Sequence, residues 1–234
     1  MGLRVVTDDA SARWIVDRIH GFAEDVGSIV PPGFAAYGRL FHPAGRGVRD
    51  VRWSEVAAAT GATVHAEMQW ANVCGVADEF YSPIPAVWDR PPVVGSLPER
   101  LAPGLVRVLA EHTQTPRSVW FAIWDGWGAA RYPAHAAVLD LPGRQYVLAR
   151  GALENAAESV ETPPFWQSAS LWWPDDRAWC VASEIDFRWT YVGGSRRLID
   201  QLLHHSILEV LETQTHHVIT ADGDHVNPRP EGTT

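Results

Sequence analysis

The residues best suited to chemistry in this chain are Glu184 and Asp186, set in an alternating run of apolar and polar residues. Read as one strand from Ala178 to Trp189, the run sends side chains to opposite faces in turn. Trp179, Val181, Ser183, Ile185, Phe187 and Trp189 then form one rank, and Cys180, Ala182, Glu184, Asp186 and Arg188 form the other. Same-side neighbours on a strand lie about 6.7 Å apart. Two carboxylates at that distance reach one substrate or one cation, and they divide acid and base roles when their surroundings separate their pKa values. The pattern therefore names Glu184 and Asp186 as catalytic candidates, with Arg188 one step along to neutralise Asp186. Asp125 joins them if its strand is a neighbour. The other reading is a solvent-facing rank on a strand whose opposite face is core.

Three further groups carry weaker chemistry. Gly193-Gly194-Ser195-Arg196-Arg197 runs from a strand into a helix, where free N–H groups and arginines hold anions; Gly194, Ser195 and Arg196 are the candidates. A simple capped helix start fits the same residues. His204-His205 and His216-His217, with Asp222, Asp224 and His225, are metal-ligating types, but adjacent histidines on a helix point about 100° apart. His65-Ala-Glu67 has the H-x-E spacing of zinc deaminases without their P-C-x-x-C half. No metal and no cofactor is expected. The third group is the aromatic set, drawn from 12 tryptophans. Trp120 and Trp124 share a parity opposite Val119, Phe121 and Ile123, which implies burial on both faces or an aromatic patch on one. Trp120, Trp124, Trp127, Trp172, Trp173 and Arg188 are the ligand-binding candidates, as the lining of a cleft.

Composition removes several classes. All 19 basic residues are arginine. Without lysine there is no Walker A motif, no pyridoxal Schiff base and no Ser-x-x-Lys dyad. A net charge of −9 argues against general nucleic-acid binding, which relies on neutralising phosphates. Cys74 and Cys180 are expected to be buried thiols. No run approaches the roughly 20 apolar residues of a membrane helix, and the first residues lack a signal-peptide pattern. A cytoplasmic location with no membrane partner is the expectation.

The elements that must position these residues follow from periodicity. Residues 10–26 read as an amphipathic helix through Trp14, Ile15, Arg18, Ile19, Phe22 and Val26. A strand over 36–42 and a short helix over 53–60 follow, then a proline-punctuated surface loop over 72–95 carrying Tyr81 and Trp88. Ser96-Leu-Pro-Glu99 is a capping box opening a helix through Glu111. Strands are expected over 118–124, 136–141, 145–149, 170–173, 178–187 and 188–192, with a hairpin at Pro142-Gly143. Ser195 caps a last helix with Ile199, Leu202, Leu203, Ile207, Val210 and Leu211 as its buried stripe. The sum is an α+β fold: one domain over 1–213, its antiparallel sheet at about 118–192 covered on one face by N- and C-terminal helices. A loose polar tail occupies 214–234.

The strings Trp120-Phe-Ala-Ile-Trp-Asp-Gly-Trp-Gly128, Trp172 to Asp186 and Thr190-Tyr-Val-Gly-Gly-Ser195 resemble a family of actinobacterial proteins of uncharacterised activity. That resemblance implies a bacterial, cytoplasmic, one-domain protein and no particular chemistry. Glu184-Ile-Asp186 also resembles the opening of the E-x-D-x-E signature of laminarinase-like glycosidases, but the third acid position holds Arg188. The leading expectation is a binding domain with a tryptophan-lined cleft for a small-molecule ligand or a protein partner. Its rivals are a lysine-independent hydrolase or transferase using Glu184 and Asp186, and a protein-interaction module that neutralises a partner or joins an assembly.

Overall fold

Strand β5 (Val119–Trp124) is apolar on both sides, and the fold buries both. Trp120 and Ala122 enter one core, while Val119, Phe121 and Ile123 enter another on the opposite face. A sheet with two apolar faces must be covered twice, so the single covering expected from the sequence is replaced by two. The computed structural model describes residues 2–76, 83–126, 132–161 and 164–230. Among them the chain forms five α-helices and eleven strands, an α+β domain built on a mostly antiparallel sheet.

The strands flanking β5 are β7 (Arg144–Gly151), which forms a hairpin with β6 (Val138–Leu141), and β8 (Leu171–Pro174). Gly143 closes the hairpin at φ +72°, a left-handed geometry suited to glycine. Beyond β8 lie β9 (Cys180–Ala182) and β10 (Trp189–Gly194). The sheet extends past the predicted 118–192 through three strands from the chain's ends. β1 (Arg4–Val5) pairs with β7, and β2 (Ala36–Phe41) runs between β10 and β11 (Val210–Thr213).

Helices α4 (Ala102–Ala110) and α5 (Arg196–Leu203) cover one face, where Leu105, Leu109, Leu198, Ile199 and Leu202 are buried. The other face takes α1 (Arg13–Val16), α2 (Trp53–Thr60) and α3 (Trp70–Cys74). A two-stranded ribbon of β3 (Ala44–Arg46) and β4 (Arg49–Val51) precedes α2. Among the described residues no helix is long and apolar enough to cross a membrane.

Four expectations need correction. The helix predicted over 10–26 ends at Val16, because the N–H groups of Val26 and Gly27 donate to His217 and Thr215 instead of continuing a helical ladder. The last helix stops at Leu203, so Val210 and Leu211 belong to β11 and Ile207 is exposed. The tail is tied down as far as the described residues run, with Ile219 in the core and Asn227 hydrogen-bonded to Thr63. Trp88, expected on a surface loop, is buried against Trp70, and part of that loop is α3.

A buried polar chain starts at His42, just past the end of β2. His42 is fully buried, its Nδ1 is 2.8 Å from the Val93 carbonyl, and its Nε2 is 2.9 Å from Thr190 Oγ1. Because the carbonyl only accepts, Nδ1 carries the proton and Nε2 accepts from Thr190. Thr190 in turn accepts from Ser183, 2.7 Å away. Burial, partly opposed by the bond to Val93, lowers the His42 pKa to about 4, so the ring is neutral at pH 7.

Candidate functional site

Glu184 and Asp186 lie not on a strand but in the connection between β9 and β10. β9 ends at Ala182, and the chain turns at Ile185–Asp186. The Glu184 carboxylate accepts the N–H of Asp186 at 2.6 Å, and the Glu184 carbonyl accepts that of Phe187. Such local bonds compete with a strand ladder and here win. The turn also resets the side-chain parity. Trp189 therefore shares a core with Cys180 and Ala182, not with Trp179 as simple alternation predicted.

The two carboxylates meet all the same, because Arg144 at the start of β7 reaches both. Its Nε is 2.9 Å from Glu184 Oε1 and its Nη2 is 3.0 Å from Asp186 Oδ2. The bridging cation is thus Arg144, where the sequence pointed to Arg188. The guanidinium sits 4.7 Å from the Phe22 ring centre and 5.6 Å from that of Trp124, favourable places for a cation. Trp124 lies across the following turn, so a Cβ on Gly126 would sit 2.1 Å from its ring.

The acids have different surroundings. The Glu184 side chain is 4% exposed and that of Asp186 is 72% exposed. Burial raises the Glu184 pKa, partly opposed by the Asp186 N–H and Arg144. Tyr146 beside them is pushed up by burial and then by the Glu184 charge, so its hydroxyl stays protonated. A small cleft of about 20 Å³ opens here between Phe22, Ile29, Leu141, Tyr146 and Glu184. That is room for one water-sized group.

Gly95 holds this turn in place. It donates to the Phe187 carbonyl at 2.8 Å and has φ +78°. A Cβ there would stand 2.4 Å from the Ile185 carbonyl oxygen. Gly95→Ala is therefore expected to cost about 1–2 kcal/mol for the left-handed backbone alone, plus the displacement of residues 184–186. Urea unfolding checks the cost, and a Gly95→Ala variant as stable as wild type would contradict this geometry.

The remaining sequence candidates are dispersed. Trp120 and Trp173 face each other across β5 and β8, with Trp14 6.2 Å from Trp173. The Trp120 N–H bonds Asp175, and Arg150 lies 5.0 Å over its ring. Trp172 points to the opposite core, between Phe121 and Trp179, so no single cleft contains it and Trp124. Trp127 lies outside the described residues. Arg188 is buried, and its carbonyl accepts the His42 N–H. Asp125 is exposed after β5, donating its N–H to Gln145. Ser195 caps α5 by accepting the Leu198 N–H, Gly194 packs on Leu198, and Arg196 pairs with Glu212 at 2.6 Å. Among the described residues no three His, Cys, Asp or Glu side chains gather as a metal site. His65 instead bonds the buried Asp224 at 2.8 Å.

Sequence reasoning missed a second feature, Arg39 in the middle of β2. It is 1% exposed and lies in an aromatic layer. Its Cζ is 3.7 Å from the ring centre of Trp189, 4.8 Å from Phe41 and 6.0 Å from Trp53. Nη1 donates to the Ala66 carbonyl, while Nε and Nη2 are buried with no acceptor among the described residues. Burial lowers its pKa to about 10, which leaves it charged at neutral pH. The signal available was an arginine at the parity of Tyr37 and Phe41, two core residues of the same strand.

No known protein family, curated protein or solved structure matches this chain.

Proposed function

We propose that the protein is a ligand-binding domain whose site is the cleft at Glu184 and Arg144. One observation supports this reading above the others: an almost fully buried carboxylate with a raised pKa lies at a cleft, braced by an arginine between two aromatic rings. Perturbed carboxyls in clefts concentrate at functional sites. Two acids share one guanidinium, so the trio carries one uncompensated negative charge when both are ionised. The matching ligand is a small molecule whose hydroxyl or amine head group donates to Glu184. Given the cleft's size, its body lies outside, against Phe22 and Asp186.

The test is a thermal-shift screen of hydroxyl- and amine-bearing small molecules on wild type and Glu184→Gln. The glutamine keeps an acceptor for Arg144, which also retains Asp186. A hydrogen bond to a charged group contributes about 1.5–3 kcal/mol. Compounds that bind wild type are thus expected to bind the variant roughly ten- to a hundredfold more weakly. Hits that bind both proteins equally would remove Glu184 from the site.

The unlike surroundings of Glu184 and Asp186 also favour a second reading, a lysine-independent hydrolase or transferase dividing acid and base roles between them. Turnover of a bound compound, lost in both Glu184→Gln and Asp186→Asn, distinguishes it from binding alone.

A further inference from the structure

We propose that a pocket on the α4 and α5 side of the sheet, with Glu158 at its mouth, is a second binding site that takes a small primary amine on an apolar body. Its volume is about 310 Å³, and its walls include Val5, Ile123, Tyr132, Ala149, Val160 and Glu158. The site is separate from the Arg144 cleft. Ile123 and Ala149 belong to the core beneath α4 and α5, whereas Tyr146 and Leu171, which line that cleft, belong to the core on the opposite face.

The order of strands and the size of one side chain explain the space. β1, β7 and β5 are neighbours, and Val5 on β1 pairs with Ala149 on β7. Ala149 pairs in turn with Phe121, and Ile123 follows two residues on, so three strands send side chains to one face. Ala149 ends at its Cβ and fills little of the room between Val5 and Ile123. α5 does not cover this patch, because it packs on β2, β10 and β11 towards the other end of the sheet. Cover comes instead from Val160 and Tyr132, both packed against the same core. The Tyr132 hydroxyl is buried, so only the ring meets an occupant.

The polar groups on the wall select the class of ligand. Ser159 is saturated: its hydroxyl donates to the Phe165 carbonyl and accepts the N–H groups of Glu161 and Gln167. Glu158 is the one charged residue on the wall, and it is exposed. Its carboxylate has no ion pair or hydrogen bond among the described residues. A carboxylate only accepts, so the complementary head group is a cation that donates. An ammonium is costly to bury, and here the charge sits at the mouth while the inner wall is apolar. The ligand is thereby oriented, its head against Glu158 and its body on Val5, Ala149 and Ile123. An apolar cavity of about 150 Å³ admits benzene. A space of about 310 Å³ therefore accommodates a phenyl ring with a short alkyl arm.

The experiment titrates the ¹⁵N-labelled full chain with phenethylamine, phenethyl alcohol and phenylacetate, followed by amide chemical shifts. The three probes share an aromatic body and differ in the charge of the head. The amine is expected to shift the amides of Val5, Ile123, Ala149 and Val160 saturably. An exposed ion pair contributes modestly, so the amine should bind about two- to fivefold more tightly than the alcohol. Phenylacetate should bind most weakly, repelled by Glu158. In Glu158→Gln the amine should fall to the affinity of the alcohol, whose own affinity stays unchanged. In Glu184→Gln all three should bind these residues as in wild type. The proposal is overturned if the amine leaves those amides unmoved, or if the three probes bind wild type equally. Glu158→Gln binding the amine as tightly as wild type also overturns it. Shifts that centre on Arg144 and Tyr146 and vanish in Glu184→Gln would place the amine in the other cleft, overturning this site while supporting that one.

Discussion

Leu202→Ala is expected to cost about 2–5 kcal/mol of folding free energy, because truncating a fully buried leucine removes its transfer energy and leaves a cavity. Leu202 has no exposed surface and sits with Leu198 and Ile199 on the buried side of α5. That helix packs on β2, β11, β10 and α4, so the loss falls on the buried core beside these strands and not on a free end. Ile207, which helical spacing places on the same stripe, is 64% exposed, and Ile207→Ser should change stability by no more than about 0.5 kcal/mol. Urea unfolding of both variants, compared by midpoint at constant slope, checks the pair. Equal losses at the two positions would mean that the helix continues through Ile207.

The second large effect is a loss of stability in acid governed by His42. An unfolded histidine titrates near pH 6.5, whereas His42 in the fold has a pKa of about 4. Between these values the unfolded chain binds a proton that the folded chain refuses. The sign is therefore fixed: the contribution is complete above pH 6.5 and is lost as pH falls towards 4. At about 1.4 kcal/mol per pKa unit the loss is about 3 kcal/mol. The structural cause is visible, since a proton on Nε2 would abolish the acceptor that Thr190 uses. Unfolding free energies of wild type and His42→Gln, measured from pH 7.5 to 4.5, separate this from the carboxylates. The variant should be weaker throughout yet show a shallower slope. Parallel slopes would show that His42 is not the group responsible.

What the sequence disclosed was mostly local. The two-sided apolar pattern of 119–124, the hairpin at Gly143 and the Ser195 cap each depend on a few adjacent residues, and each is present. What it concealed depended on distant partners. The helical spacing from Trp14 to Val26 is real, but backbone bonds to His217 and Thr215 outweigh it. Glu184 and Asp186 were found together for the wrong reason: no strand rank carries them, and Arg144, some 40 residues earlier in the chain, gathers them. Arg39 escaped because an arginine in a strand ordinarily faces water, and only the packing of Trp53 and Trp189 around it shows otherwise.

The position of β2 between β10 and β11 has a consequence for how the chain is made. Contacts such as His42 with Thr190 join residues 148 positions apart. At bacterial or eukaryotic rates of synthesis, the ribosome needs roughly 7–30 s to add that many residues. During that interval the first 90 residues, with Trp14, Trp53, Trp70 and Trp88, lack β10 and β11, the two strands that flank β2. Folding is thus postponed to the end of translation, and a message truncated before β10 yields a product with its tryptophans uncovered, a natural target for holdase chaperones and proteases.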